Sequence, residues 1–298
     1  QERFDAIFCC LWLPDATSVF LASRLLKLST PYYITVHAME IMSPRETAKQ
    51  RFREKLKPLK QATFRKAKKI FCVSQYSRNV LHSLVKIPEE QSLVINNGAN
   101  PEKFYPAENR NKMQKFPRLL TACRLMPHKG VDQVIKSLPD LIKTFPDIEY
   151  RVVGSGQDLS RLKKLTDMMQ MQNHVKFLGK VDEGDLLDEF QKADLFVMIS
   201  RKEKHQVEGF GLVFLEAALC GTPSLGGKSG GIPDAIEEGV TGWLVDPYSE
   251  AAIAKKLSEI LGDSKKLRAV GETARNKTLA EKTWAHRVQE IMEVTQLC

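Results

Sequence analysis

Short β-rich runs alternate with helical patterns along the 298-residue chain. The first half has such runs near 5–11, 32–36, 69–73 and 92–95, with helical patterns at 16–28, 46–66 and 76–86. The second half repeats this alternation, with β-rich runs at 118–123, 148–153, 174–178, 194–199, 223–225 and 242–245. Its helical patterns lie at 130–144, 157–171, 183–192, 211–220, 231–238 and 249–261. The pattern predicts an α/β protein whose parallel sheets carry helices on both faces.

The segment 96–117 separates these halves, because it is rich in Asn, Pro and Gly and lacks an apolar period. We read it as a linker, which predicts domains at 1–105 and 106–280 and a terminal helix at 281–298. No apolar run approaches the roughly 18 residues of a membrane span. The six cysteines show no C-x-x-C spacing, which is typical of a protein from a reducing cytoplasm.

Positive charge is concentrated between residues 45 and 69. This stretch has eleven Lys or Arg and two Glu, and so carries the +9 of the whole chain. Apolar residues recur within it at near-helical spacing, with Pro58 as an interruption. A basic amphipathic helix suits an anionic membrane surface, although a solvated helix with its apolar stripe packed inward fits the same pattern.

The segment EGFGLVFLE, 208–216, holds the densest site pattern. Glycines before a helix allow a ligand to approach the backbone, and the free N–H groups at the helix start attract anions. Glu208 and Glu216 would then lie at opposite ends of a phosphate-sized cradle, where carboxylates accept hydrogen bonds from sugar hydroxyls. A helix with one acidic residue at its N-terminus and one facing solvent is an equal alternative.

Arg124 and Lys129 follow the predicted strand 118–123 and precede a helix. Ligands of open parallel sheets bind at the carboxyl ends of strands, where two cations can neutralise a diphosphate. Exposed loop cations are the alternative. VVGSGQD, 152–158, lacks the third glycine of a dinucleotide fingerprint and is read as a tight turn.

Two further segments are weaker candidates for ligand contacts. SGGIPD, 229–234, is a Gly-rich entry to a helix, and His37 ends the strand YYITV. Structural roles remain open for both. The sequence has no P-loop, no nucleophile elbow and no D-x-D pair that would hold a divalent metal ion.

The ordered set VINNGANPEKFYP, CRLMPHKGVDQVI, YRVVGSGQDLSRL, VKFLGKVDEGDL and EGFGLVFLEAALCGTPSLGGKSGGIPDAIEEGVTGWLVDP resembles glycosyltransferase family 4. Glu208 and Glu216 fit the E-x7-E element of that family. The resemblance implies the GT-B fold, in which two Rossmann-like domains with parallel sheets face a cleft. It also implies that the terminal helix, 281–298, crosses back to the N-terminal domain. Members of the family begin with a strand and a Gly-rich loop that this sequence lacks, so we expect a first domain that is incomplete at its N-terminus.

The resemblance also implies roles for individual residues. Arg124 and Lys129 would hold the donor diphosphate, Glu216 the ribose, and Val181 would lie against the base. The transferred sugar would be held by Glu208 and by the backbone of Phe210, Gly211 and Leu212. His37 matches the first-domain histidine that faces the donor sugar, so His37 and Glu208 are the expected catalytic residues. No metal and no cofactor beyond the nucleotide sugar are expected.

These expectations describe a retaining transferase that moves a mannose- or glucose-type hexose from a UDP- or GDP-sugar to a lipid-linked or polysaccharide acceptor. It would be cytoplasmic and peripheral at the inner face of the membrane, which it would contact through 45–69. A non-catalytic nucleotide-sugar binder or an inactive fragment is the alternative. The basic stretch has few aromatic residues, which argues against a nucleic-acid partner.

Overall fold

The computed structural model describes residues 4–42, 55–108 and 117–297. Its contacts divide the chain into two compact units, 1–97 together with 287–298, and 98–286. The first unit ends at Asn97 and not at the expected 105, because the backbone of the following residues pairs inside the second unit. The Ala99 amide donates to the Lys282 carbonyl at 3.0 Å, and the Trp284 amide donates to the Ala99 carbonyl at 3.2 Å.

The first unit contains a parallel sheet, which in the described residues has the order β1-β2-β3-β4. Its strands are β1 (Ile7–Cys9), β2 (Tyr32–Val36), β3 (Lys69–Cys72) and β4 (Ser92–Val94). Its helices are α1 (Thr17–Leu25), α2 (Lys57–Lys66) and α3 (Gln75–Leu84). Residues 43–54, which include the first ten residues of the basic stretch 45–69, lie outside the described residues.

The second unit is built on another parallel sheet, of order β10-β9-β8-β5-β6-β7. Its strands are β5 (Arg118–Ala122), β6 (Glu149–Val153), β7 (Val175–Gly179), β8 (Leu195–Met198), β9 (Ser224–Gly227) and β10 (Gly242–Val245). Its helices are α4 (Val131–Leu141), α5 (Leu159–Met168), α6 (Glu183–Lys192), α7 (Leu212–Leu219), α8 (Ile232–Ala235), α9 (Glu250–Gly262) and α10 (Ser264–Glu281). The helix α11 (Trp284–Thr295) begins in this unit, and its residues from Arg287 onward belong to the first unit.

Burial on both faces explains why the central strands of this sheet are continuous apolar runs. Every residue of β8 is buried, and the strand packs into the cluster that also holds Leu119, Tyr150 and Leu225. The predicted helix at 231–238 is shorter than expected, because Ile236 takes extended backbone angles, φ −118° and ψ 124°. Among the described residues, no helix combines the length and the apolar character that a membrane span requires.

Candidate functional site

The order of the second sheet fixes where ligands can meet it. The chain enters at β5, proceeds to β6 and β7 on one side, and returns to β8 on the other side of β5. The loops after β5 and β8 therefore leave the same sheet edge and diverge, which creates the crevice where open α/β sheets bind ligands. The predicted residues Arg124 and Lys129 follow β5, and Glu208–Leu212 follow β8.

The segment after β5 presents its two cations differently. Arg124 is exposed, whereas Lys129 is half-buried at the end of a short 3-10 turn, Pro127–Lys129. Gly130 follows with φ +73°, and a Cβ on it would lie 1.9 Å from the Ile199 carbonyl oxygen. The turn is thereby held against the end of β8, which brings Lys129 to the segment that precedes α7.

Glu208 forms an ion pair with Lys129, from its Oε2 to the lysine Nζ. The family resemblance assigns Glu208 to the transferred sugar and Lys129 to the diphosphate, and the structure brings the two side chains into direct contact. Phe210 is 2% exposed, so its ring belongs to the core and its backbone alone is available to a ligand. Gly211 caps α7, which begins at the half-buried Leu212.

Glu216 lies inside α7, and burial is the main reason that its pKa is raised to about 7. The positive charge of Lys103 opposes this shift. Lys103 itself is paired with Glu183 at 3.0 Å, so it does not neutralise Glu216 directly. A carboxyl of this kind can accept hydrogen bonds when ionised and donate one when protonated.

The Gly-rich segment after β6 packs closely against the segment that follows β5. A Cβ on Gly154 would lie 1.9 Å from the Cys123 carbonyl oxygen, and the Leu125 amide donates to the Ser155 carbonyl at 3.0 Å. These contacts tie the loop after β6 to the segment that carries Arg124. The structure thus favours the tight-turn interpretation over a dinucleotide fingerprint.

The sequence analysis did not identify several buried side chains that hold the predicted site residues in place. Buried His128 bonds through Nδ1 to the Gln206 side chain at 2.9 Å. Burial, together with the nearby Lys129 charge, lowers the pKa of His128, which favours a neutral imidazole. Asp132, in the first turn of α4, accepts two hydrogen bonds from Arg201. The sequence carries no periodic signal for such pairs, because the two partners of each pair are far apart along the chain.

His37 follows β2 in the first unit, where its amide donates to Oε1 of Glu40 at 2.7 Å. Burial raises the pKa of the Glu40 carboxyl, and the Trp12 indole donates to the Glu40 carbonyl at 2.8 Å. Ala38, between them, has φ +79°, a strained angle for a residue with a Cβ. Backbone strain of this kind is often found at functional sites. The sequence analysis did not identify Glu40 or Ala38.

Two other predictions concern the base and metal ions. Val181 is half-buried and lies two residues after the end of β7, which is the outer strand of the second sheet. Across residues 4–42, 55–108 and 117–297, no group of three or more His, Cys, Asp or Glu side chains could hold a metal ion. The roles of Val181 and of the other named residues remain predictions.

The described part of the basic stretch differs from the predicted amphipathic surface. Leu56, Leu59 and Ala62 pack against the core of the first unit. Lys60 is 5% exposed and donates to the Ile41 carbonyl at 3.0 Å, so it is a structural residue. Pro58 lies in the first turn of α2, where its missing N–H costs nothing. The cations that remain exposed here are Lys55, Lys57, Arg65, Lys66 and Lys68.

Solved structures with the same fold include sucrose-phosphate synthase from Thermosynechococcus elongatus. It matches with a TM-score of 0.80 over 99% of this chain and 74% of that chain, at 24% identity. The Anabaena protein HepE, solved in complex with UDP, matches with a TM-score of 0.83 over 99% of this chain and 79% of its own, at 22% identity. These likenesses show the GT-B fold.

Curated relatives give closer sequence matches. One is the GDP-mannose-dependent monoacylated alpha-(1-6)-phosphatidylinositol monomannoside mannosyltransferase of Corynebacterium glutamicum, 34% identical over 67% of this chain and 54% of the relative. Another is the N-acetyl-alpha-D-glucosaminyl L-malate synthase of Bacillus anthracis, 25% identical over 92% of this chain and 70% of the relative. The chain thus spans about half the length of the first of these relatives.

Two family models cover nearly the whole chain. Residues 1–103 match "Glycosyltransferase Family 4", and residues 106–277 match "Glycosyl transferases group 1". The second match spans the whole edge that carries Arg124, Lys129, Glu208 and Glu216. The chain belongs to the glycosyl transferases group 1, the family 4 glycosyltransferases of GT-B fold.

Proposed function

We propose that this chain binds a UDP- or GDP-hexose on its second unit and serves the retaining transfer of a mannose- or glucose-type sugar to a lipid-linked or polysaccharide acceptor. One observation carries the proposal. Lys129, from the loop after β5, pairs with Glu208, from the loop after β8, beside the point where the strand order of the second sheet reverses. A diphosphate flanked by two sets of hydroxyl groups matches that arrangement of charge.

The proposed mechanism rests on charge at the leaving group. Arg124, Lys129 and the N–H groups at the start of α7 would stabilise the negative charge that develops on the departing nucleoside diphosphate. Glu216 would accept from the ribose, and Glu208 from the sugar. His37, from the first unit, would contact the transferred sugar. The reaction would use no protein nucleophile and no metal.

The names of relatives support a hexose donor. The Corynebacterium glutamicum and Mycolicibacterium smegmatis relatives are named GDP-mannose-dependent mannosyltransferases, and HepE was solved with UDP-glucose. These names favour guanine or uracil as the base and mannose or glucose as the sugar. The same mannosyltransferases are named for phosphatidylinositol mannoside, which favours a lipid-linked acceptor.

Calorimetric titration with UDP, GDP and ADP tests the donor site, beside the double variant Arg124→Ala/Lys129→Ala. We expect one diphosphate to bind, with an affinity that falls at least tenfold in the variant. Transfer assays with the sugars of that nucleotide follow. Binding without hydrolysis or transfer would favour a non-catalytic binder, and no binding of any of the three would refute the donor-site assignment.

We further propose a peripheral cytoplasmic location, with contact to an anionic membrane through the cations of 45–69. In the described part of that stretch Arg65 and Lys66 are exposed, and each such cation is worth about 1 kcal/mol near an anionic surface. Sedimentation with vesicles of anionic lipid, against neutral vesicles, tests this. Equal pelleting with both would refute it.

A further inference from the structure

The ion pair between Lys129 and Glu208 joins the two proposed halves of the donor site. Their side chains are 15% and 17% exposed. Water therefore solvates neither charge fully, and each charge is stabilised mainly by the other. A half-buried ion that loses its partner without a replacement is strongly disfavoured. A ligand that binds the ammonium of Lys129 must consequently provide a new partner for the Glu208 carboxylate, or leave that charge unpaired.

The backbones on both sides of the pair are fixed. The Lys129 amide donates to the Met126 carbonyl at 2.9 Å inside its 3-10 turn. The Glu208 carbonyl accepts the Gly231 amide at 2.9 Å, and a Cβ on Gly230 would lie 2.2 Å from that same carbonyl oxygen. The pair can therefore open only by rotation of the two side chains, and the carboxylate stays beside the place where the lysine was.

We propose that this ion pair makes the site select an intact nucleotide sugar over the free nucleoside diphosphate. The inference rests on the proposed function, in which Lys129 binds the diphosphate. A nucleoside diphosphate would take the ammonium of Lys129 but would leave Glu208 as an unpaired carboxylate facing another anion. A nucleotide sugar takes Lys129 with its diphosphate and supplies hydroxyl donors to Glu208 from the sugar, so both ions keep a partner.

The ion pair would affect donor binding and product release in opposite ways. Once the sugar has been transferred, Glu208 loses its hydroxyl partner and competes with the diphosphate for Lys129. The carboxylate that holds the donor would thus expel the product. Product release often limits turnover in enzymes, so a carboxylate at this position would serve the reaction twice.

The test is the isosteric variant Glu208→Gln, titrated by calorimetry with the nucleoside diphosphate and with its nucleotide sugar, in the absence of acceptor. We expect the affinity for the diphosphate to rise, on the order of tenfold, because Lys129 no longer has a charged competitor. The affinity for the nucleotide sugar should stay or fall, because Gln replaces a charged acceptor by a neutral one. The preference for the sugar nucleotide therefore shrinks.

The matched control is Asp188→Asn, which removes one carboxylate from the exposed pair of Asp188 with Lys192. That pair lies within α6, outside the loops that carry the predicted site residues, and the change in net charge is the same. Its two affinities should equal those of the wild-type chain. A rise in the control as large as in Glu208→Gln would overturn the proposal, since net charge alone would explain it.

The remaining outcomes separate this proposal from the function itself. If the wild-type chain binds the diphosphate and Lys129→Ala weakens it, but Glu208→Gln binds it no more tightly, the selectivity device is refuted and the donor site stands. If the wild-type chain binds no nucleotide, both are refuted. Coincident unfolding midpoints of the variants and the wild-type chain would show that any loss is not a folding defect.

Discussion

Arg201 donates two hydrogen bonds to the carboxylate of Asp132, from Nη1 at 2.9 Å and from Nη2 at 3.0 Å. Asp132 is 5% exposed. The Arg201 amide also donates to the carbonyl of His128, the neighbour of Lys129, at 2.9 Å. This fork thus joins the loop after β8 to the first turn of α4, next to the turn that carries Lys129.

Arg201→Ala should destabilise the chain by about 3 kcal/mol, because it leaves a buried carboxylate with Arg161 as a remaining partner at 3.5 Å. Urea unfolding followed by circular dichroism measures this. The double variant Arg201→Leu/Asp132→Leu should recover most of the loss, since no charge remains buried. A loss of less than about 1 kcal/mol in Arg201→Ala would contradict the view that Asp132 depends on Arg201 as its partner.

Gly130→Ala should cost several kcal/mol and abolish nucleotide binding, because its Cβ would lie 1.9 Å from the Ile199 carbonyl oxygen. The matched control is Gly239→Ala. Gly239 has nearly the same angle, φ +75° against +73°, but an added Cβ there meets no heavy atom within 4 Å. The control should therefore show only the backbone cost, about 1–2 kcal/mol, with nucleotide affinity unchanged. Equal losses in the two variants would refute the steric explanation.

The parallel sheets and the family could be predicted, because continuous buried strands and the ordered motifs leave local traces in sequence. The strand Tyr32–Val36 and the helix Glu183–Lys192 have the predicted bounds. Glu208 and Glu216 were recognised because their spacing lies within one segment. Arg124 and Lys129 were recognised because cations after a strand mark the ligand edge of a parallel sheet.

What could not be predicted depends on contacts between distant segments. Lys129 and Glu208 are 79 residues apart, and nothing local indicates that they pair. The end of the first unit at Asn97 depends on Ala99 pairing with residues 282–284. Lys60 shows the same limit, because charge alone gave no sign that one lysine of the basic stretch is buried beside Ile41 and Trp12.

Lys60→Ala should destabilise the first unit by about 2 kcal/mol. It removes the hydrogen bond to the Ile41 carbonyl, and it removes an ammonium that lies 5.7 Å from the centre of the Trp12 ring. Lys66→Ala, at the exposed end of the same helix, should change stability by less than about 0.5 kcal/mol. Thermal unfolding of both variants tests the contrast. Equal unfolding midpoints for the two variants would show that buried Lys60 contributes no more to stability than an exposed lysine does.

Ala38→Gly should stabilise the chain by about 0.5–1 kcal/mol, because glycine adopts φ +79° without the Cβ strain. Part of the gain is offset by the greater freedom of glycine in the unfolded chain. The control is Ala218→Gly, inside α7, where the same substitution should lower the free energy of unfolding by about 1 kcal/mol. Denaturant midpoints measure both. A destabilised Ala38→Gly would show that the loop around His37 is not strained at this residue.

Glu216 should make stability and donor binding depend on pH in opposite directions. Its pKa rises from 4.5 to about 7 on folding, chiefly through burial. Between these values the folded chain holds a proton that the unfolded chain releases, so stability falls as pH rises through this window. Relative to wild type, Glu216→Gln should therefore gain up to about 3 kcal/mol between pH 5 and pH 8.

Nucleotide-sugar affinity should move the other way, because a ribose hydroxyl donates best to the ionised carboxylate. In the wild-type chain it should rise as pH increases through about 7, the pKa of Glu216. It should stay flat in Glu216→Gln. The nucleotide sugar is the ligand of choice, since its esterified diphosphate does not titrate in this range. Parallel profiles for the two proteins would show that Glu216 does not bind the ribose as an anion.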